Sequence, residues 1–515
     1  MASIKSRWES LQTKRGGVLR RAREAARLTI PALMPPEGSD ENSSLPTPYQ
    51  SLGSFGVNNL ASKLLLALLP PGTSFFRLQI ADSVVEELGA ERDAVEEALR
   101  KLENRAMSRI ESSNFRVTLH QVLKHLIVTG NALLLIPTEG PARMYSLNQY
   151  CVVRDAYGVV TEAVIKETVH PSTLKEDVRK ACAVDPSPKS GREEVDVYTK
   201  IELKNGGKFV EYFQEINDIE VPESRGRNKV SESPFIFLRW TAVENEDYGR
   251  GLVEEYIGDL HGLDVISKAI LSFSAAAGKI VLFVHPNATT DVDALVEAES
   301  GDVITGKIED VDVLQLDKYA DFRVSKEVAD ELTSRLSNAF LLQSGMIRDA
   351  ERVTAQEIRA MAQELEDVLG GVYTVLSREL QLPIVKRLIA QMRRAGEFPI
   401  LPKVNGQDTI EPVIVTGFDA LGRGHELNRL RAYFTDLAQV VGPQALQRFD
   451  VEKVAKTLAT AHNVDVDGLL KDEGLIAEEQ QAQMAAQIMD KAVGPVSGAL
   501  AKNISDLVTR GESNG

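Results

Sequence analysis

Apolar residues early in the chain recur every three or four positions, the spacing of a helix with one buried face. Residues 1–30 predict one basic amphipathic helix, and a Pro/Gly/Ser-rich linker follows from Pro31 to Pro48. Val57–Leu69 predicts a second helix, stopped by Pro70-Pro71-Gly72 because proline lacks an amide hydrogen and clashes with the preceding turn. Ser83-Val84-Val85-Glu86 has capping-box spacing and should open a helix to about Glu111, with Val95, Leu99, Leu102, Ala106 and Ile110 on one face. Another helix is expected over Val117–Thr129. From about Asn131 to Trp240 the period drops to two. Ala132–Ile136, Tyr150–Arg154 and Phe235–Trp240 predict strands, with a turn at Asp155-Ala156-Tyr157-Gly158. Val195–Leu203 and Lys208–Phe213 flank Lys204-Asn205-Gly206-Gly207, a hairpin signal because Asn-Gly tolerates positive φ.

Helical spacing returns over 252–277, through Val253, Tyr256, Ile257, Leu260, Leu263, Ile266, Ile270 and Phe273. A small α/β insertion is expected from about Lys279 to Ala320, then a helix over Val324–Leu341 and a polar break over Gln343–Val353. Thr354-Ala355-Gln356-Glu357 is a second capping pattern. It opens an apolar stripe from Ile358 through Leu365, Val372, Leu380 and Leu388 to Met392, which Gly370-Gly371 and Pro383 should bend or interrupt. Beyond Leu401, helices are expected over Leu427–Val441, Val451–His462 and Ala477–Val493, with a frayed end. No internal repeat is visible. The fold class is α+β, mainly helical.

With 515 residues, 43% hydrophobic and 26% charged, the chain reads as about three globular domains. A net charge of −16 argues against a whole-surface nucleic-acid binder, which needs clustered cations to displace counterions. Two cysteines, Cys151 and Cys182, neither staple such a chain nor build a zinc site, so synthesis in a reducing cytosol is expected. No apolar run is long enough for a membrane span, and the N-terminus lacks a secretory apolar core. Charge is uneven: residues 1–30 hold eight bases and two acids, best read as a solvated face, whereas 286–320 hold nine acids and two bases.

Catalytic signals are absent. Gly417-Phe418-Asp419-Ala420-Leu421-Gly422-Arg423-Gly424 lacks the Lys-Ser/Thr of a phosphate loop and reads as a turn, and Gly53-Ser54-Phe55-Gly56 follows no strand. The seven histidines are scattered; His120 and His125 do not share a helical face, and His425-Glu426 lacks a second histidine. No Gly-x-Ser-x-Gly elbow occurs. Lys386, Arg387, Arg393 and Arg394 are four bases with no acid between them. They read as closing a helix against its negative end, and as a candidate surface for DNA or a neighbouring subunit.

Longer blocks carry more weight. Asn58-Asn59-Leu60-Ala61-Ser62-Lys63-Leu64-Leu65-Leu66-Ala67-Leu68 with Pro70, Tyr248-Gly249-Arg250, Glu254-Glu255-Tyr256 and Gly258-Asp259-Leu260 resemble the head-to-tail connector (portal) proteins of short-tailed, podovirus-type phages. So do Glu351-Arg352-Val353-Thr354-Ala355-Gln356-Glu357-Ile358-Arg359, the run from Glu364 to Tyr373, and Leu380-Gln381-Leu382-Pro383. The blocks span about Trp8 to Gly424 in order. The resemblance implies a ring of twelve subunits through which double-stranded DNA enters during packaging and leaves during ejection. It implies a wing over 1–251, a stem helix over 252–278 and a clip over 279–320. A second stem helix over 321–342, a channel loop over 343–353, a long kinked wing helix with its connection over 354–424 and a crown over 425–515 would complete the subunit.

On that plan Gln343, Ser344, Gly345, Met346, Ile347, Arg348, Asp349 and Arg352 would face DNA, and Asp302, Lys307, Glu309, Asp310 and Asp312 would meet a tail adaptor. The implied partners are the major capsid protein, a scaffolding protein, the terminase motor and the adaptor. No cofactor, metal, membrane insertion or catalytic residue is implied, and the location is the virion portal vertex after assembly in the host cytoplasm. DNA carries about one negative charge per 1.7 Å, so a sliding conduit calls for few bases. Arg348 and Arg352 are balanced by Asp349 and Glu351, which suggests a steric gasket with transient phosphate contacts. Subunit contacts are expected on helix 57–69 and the 358–392 stripe. The alternatives are another virion structural protein, of tail or internal core, and a packaging-associated hydrolase.

Overall fold

The computed structural model describes residues 3–40, 42–71, 74–80, 92–184, 194–277, 281–287, 289, 291–299, 302–314, 319–342, 364–365, 367–369, 371–397, 410–414 and 439. The chain divides into two compact units, residues 1–420 and 421–515, and apart from Gln439 every described residue belongs to the first. Both capping sequences, the channel loop, the crown and its expected helices (Gln439 apart) therefore lie outside the described residues.

The N-terminus is two helices rather than one, α1 (Ile4–Lys14) and α2 (Gly16–Arg27). The break is at Arg15, whose buried guanidinium donates to the carbonyls of Leu147, Asn148 and Tyr150 and lies over the Trp8 ring. The expected solvated basic face holds at Lys5, Lys14 and Arg20, which are exposed, and is corrected at the partnered arginines. Arg7 pairs with Glu162, Arg21 with Glu254 and Arg23 with Glu37, partners outside these helices that neutralise them within the chain.

Helix α3 (Leu52–Leu68) buries Val57, Leu60, Ala61, Leu64, Ala67 and Leu68 in the main core. It is an internal helix, which corrects the expectation that it forms a subunit interface. Its orphaned last carbonyls find side-chain donors. Gln381 donates to Leu68 O at 2.6 Å, and Arg116 donates to Leu69 O and Pro70 O. Strand β1 (Phe76–Ile80), helix α4 (Arg92–Ser112) and helix α5 (Phe115–Thr129) follow.

The period-two region holds β2 (Asn131–Leu135), β3 (Arg143–Tyr145), β4 (Tyr150–Arg154) and β5 (Val160–Val169). After the short helix α6 (Glu176–Ala181) come β6 (Val195–Lys204), β7 (Phe209–Ile216), β8 (Ile219–Glu220), β9 (Gly226–Lys229) and β10 (Phe235–Arg239). All pairings are antiparallel. One sheet runs β10-β2-β3 and the other β4-β5-β6-β7-β8, with β9 sharing the free edge of β7. Asn205 and Gly206 close the β6–β7 hairpin at φ 53° and 63°. Helix α1 covers one face of the larger sheet, where Ile4, Trp8 and Leu11 meet Cys151, Val164 and Tyr198; Val152, Ala163 and Ile165 face the main core.

Beyond β10 the chain returns to helix through a close backbone crossing. Gly130 caps α5 at φ 73°, and a Cβ there would lie 2.3 Å from Arg250 C. Asn131 braces the crossing: its amide donates to Gly249 O and its oxygen accepts from Gly249 N. The Tyr248-Gly249-Arg250 block is thus a junction between the sheets and the paired helices. Tyr248 takes the Val152 amide, and Arg250 pairs with Glu246 and Glu254, which raises its pKa.

The expected helix 252–277 is broken at Tyr256 into α7 (Leu252–Glu255) and α8 (Ile257–Ala277). The insertion holds β11 (Val281–Val284), α9 (Val292–Glu297) and β12 (Val311–Leu314), and α10 (Tyr319–Ala339) returns beside α8. Last come α11 (Gly371–Leu376), a π-helical turn over Ser377–Gln381, α12 (Leu382–Arg394) and β13 (Ile410–Ile414), which pairs with β1. The C-terminal stripe mostly faces the chain's own core through Leu365, Leu376, Leu380, Ile384, Val385, Leu388 and Met392. Only Val368 and Val375 of its described residues stand exposed, so most of it is not a subunit interface.

Candidate functional site

The two 21-residue helices α8 and α10 are about 32 Å long at 1.5 Å per residue. Their inner ends are rooted in the core by Leu260, Leu263, Leu336 and Phe340. Further out, Val265 and Leu271 of α8 and Val324 and Val328 of α10 are exposed. Charges on α10 are paired along the helix, Arg323 with Glu327 and Arg335 with Glu331, and Arg335 also approaches Asp259 of α8. Such exposed pairs contribute little stability, but they leave few free cations to hold a polyanion.

The acidic insertion caps this pair. Strands β11 and β12 form a two-stranded antiparallel sheet in which Phe283 stands opposite Asp312, and Asp291 caps α9, which lies between them in sequence, by accepting from the amides of Asp293 and Ala294. Asp310 accepts from the amide and hydroxyl of Thr289 at 2.9 and 3.1 Å, and Asp302 from the Glu299 amide at 2.8 Å. Those two carboxylates hold the insertion's own backbone. Lys307, Glu309 and Asp312 are exposed, and His285 lies 3.8 Å from Asp312. Between them, Val303 at 99% and Ile308 at 96% relative exposure make this tip both acidic and apolar.

The basic cluster does not form one surface. Arg387 is 1% exposed and donates to Ile136 O at 3.0 Å, Glu232 O at 3.1 Å and Thr138 Oγ1 at 3.1 Å. Burial, with Arg394 nearby, lowers its pKa. Arg394 donates to Asn228 Oδ1, and Arg393 and Arg394 occupy the last turn of α12, as the dipole argument expects. For Arg387 the surface expectation is therefore corrected. Sequence reasoning also missed the buried cations Arg15 and Lys63, because a base on a helix looks the same whether it meets water or a carbonyl. Gln343, Ser344, Gly345, Met346, Ile347, Arg348, Asp349 and Arg352 lie outside the described residues.

His120 is within 3.3 Å of the Ser62 hydroxyl, and His125 is buried with a pKa pushed down to about 4 by desolvation. Among the described residues no group of His, Cys, Asp or Glu is placed to hold a metal, and no helix is long and apolar enough to cross a membrane. Cys151 and Cys182 are buried and free.

Residues 1–470 match the family model described as bacteriophage head to tail connecting protein. The portal protein of Escherichia phage T7 is 39% identical over 514 residues, covering 98% of this chain and 94% of that protein. The portal protein of Enterobacteria phage SP6 is 32% identical over 515 residues, covering 98% of each. Among solved structures, the neck of an empty GTA particle overlaps 74% of this chain and 86% of its own at 11% identity and a TM-score of 0.36, a distant likeness.

Proposed function

This chain belongs to the bacteriophage head-to-tail connecting proteins, and from that premise we propose that it assembles as a ring of twelve whose axial channel passes double-stranded DNA in packaging and in ejection. The observation that carries the reading is the pair α8 and α10 with its acidic insertion: a rod rooted in the core, poor in free cations, ending in a charged and apolar tip. A lining rich in unpaired Lys and Arg would bind DNA by releasing counterions and oppose sliding. Here α8 and α10 together hold four bases and six acids, and two of the arginines are already paired.

In this reading α8 and α10 are the stem, residues 279–320 the clip, residues 1–251 with 354–424 the wing, and 425–515 the crown. The exposed Val265, Leu271, Val324 and Val328 would meet neighbouring subunits around the axis. Glu309 and Asp312, with Val303 and Ile308, would meet a tail adaptor on the outer face, and the terminase motor would dock during packaging. The major capsid and scaffolding proteins would surround the ring as the head assembles in the host cytoplasm. The role is structural rather than enzymatic.

Residues 343–353 are read as the loop that meets DNA. Deleting them is expected to leave ring assembly intact while heads built on the variant retain less DNA. The measurement is protected genome length in an in vitro packaging reaction; loss of ring formation, or full retention, would contradict the assignment.

A further inference from the structure

Helix α10 ends in an unusual way. Leu341 adopts φ 55°, the left-handed conformation that glycine usually supplies after a helix, and Leu342 N donates to Ser337 O at 2.8 Å. The turn leaves carbonyls directed at α3, where Asn59 and Lys63, four apart on one helical face, receive them and Gly56, three before Asn59, makes room for Phe340. Asn59 Nδ2 donates to Phe340 O and to Leu341 O at 3.2 Å each. Lys63 Nζ donates to Leu341 O at 2.7 Å. Gly56 lies under the Phe340 ring, where a Cβ would come within 2.6 Å of Cγ, so any side chain there would push the turn away.

Lys63 also reaches Glu364, with Nζ 3.6 Å from its Oε2. It is 2% exposed among Leu60, Leu64 and Ala67, where an apolar side chain would pack without losing hydration. Burial pulls its pKa down and Glu364 pulls it back up. A buried amine bridging a helix-end carbonyl and a carboxylate 23 residues later ties two points of the chain to one atom.

We propose that Gly56, Asn59 and Lys63 form a clamp on α3 that fixes where the chain leaves the second stem helix and where it returns, making Lys63 a positioning residue for the intervening segment. Its importance for DNA passage rests on the reading of 343–353 as the channel loop; the clamp itself does not. Lys63→Met keeps side-chain length and removes the donors and the charge.

The test treats full-length wild-type and K63M rings with trypsin and follows cleavage after Arg348 and Arg352 by mass spectrometry, with the β6–β7 hairpin at Lys204 and Lys208 as internal control. Loss of a charged hydrogen bond is expected to raise cleavage after Arg348 and Arg352 about tenfold and leave the hairpin unchanged. Unchanged cleavage, or an equal rise at both places, overturns the proposal. If K63M yields no rings, Asn59→Ala takes its place, with a rise of about threefold expected at the same sites and no rise overturning the clamp. Raised cleavage in heads that package DNA normally would support the clamp and overturn the channel-loop reading instead.

Discussion

Arg15, Lys63 and Arg387 sit inside the fold with main-chain carbonyls as hydrogen-bond acceptors. Each joins segments far apart in sequence, so the acceptors carry no pattern that could be read from the neighbours of the base. Arg387→Leu would strand the Ile136 carbonyl in the core and release the half-buried Glu232 carbonyl, and is expected to cost about 2 kcal/mol. Lys386→Ala, one residue away and partly exposed, is expected to change stability by less than about 0.5 kcal/mol. Comparable losses in denaturant titrations of the two variants would contradict the placement. His125 makes a pH prediction. Its folded pKa of about 4 lies below the ordinary 6.5, so the unfolded chain takes up a proton that the folded core refuses. Its contribution is complete above about pH 6.5 and falls away towards pH 4, by on the order of 3 kcal/mol. His125→Leu is expected to lose less stability than wild type between about pH 7 and pH 4.5; parallel losses would sink the argument.

At the scale of elements, what could be read depended on how many faces each element buries. The β6–β7 hairpin was legible because Asn205 and Gly206 adopt the positive φ their residue types favour. Strand β5 was not: Ala163, Val164 and Ile165 are all buried, between α1 on one side and the main core on the other, which erases the alternation. The pairing of β1 with β13 joins Phe76 to Ile414, a separation no local pattern encodes. The long C-terminal helix is interrupted, as Pro383 suggested. The acceptor its missing amide would have used, Glu379 O, lies within the π-helical turn, the usual accommodation of a broken ladder. Gly371 is helical and a Cβ there would touch nothing within 4 Å, while Gly370 lies outside the described residues. Gly371→Ala is expected to raise stability by about 0.5–1 kcal/mol without altering the interruption. A lower unfolding midpoint would show that the glycine is needed.

For the whole molecule, a net charge of −16 is compatible with carrying DNA because a conduit must not hold what it passes. The N-terminal bases read as a solvated face include Arg7, Arg21 and Arg23, paired with Glu162, Glu254 and Glu37. Arg387 of the second basic cluster is sealed in the core. The division into sheets, paired helices and acidic insertion was visible from the switch of hydrophobic period, whereas the inward orientation of α3 was not, because an apolar helix looks alike facing its own core or a neighbour. Exposed apolar residues recur along α8, α10 and the insertion, at Val265, Leu271, Val324, Val328, Val303 and Ile308, surfaces a ring would cover, and others such as Phe55, Val117 and Tyr157 lie elsewhere on the chain. The most direct test is native mass spectrometry with negative-stain microscopy of the purified protein at high concentration. Closed rings of about twelve subunits around an open axial channel are expected. A monodisperse monomer under those conditions would contradict the account.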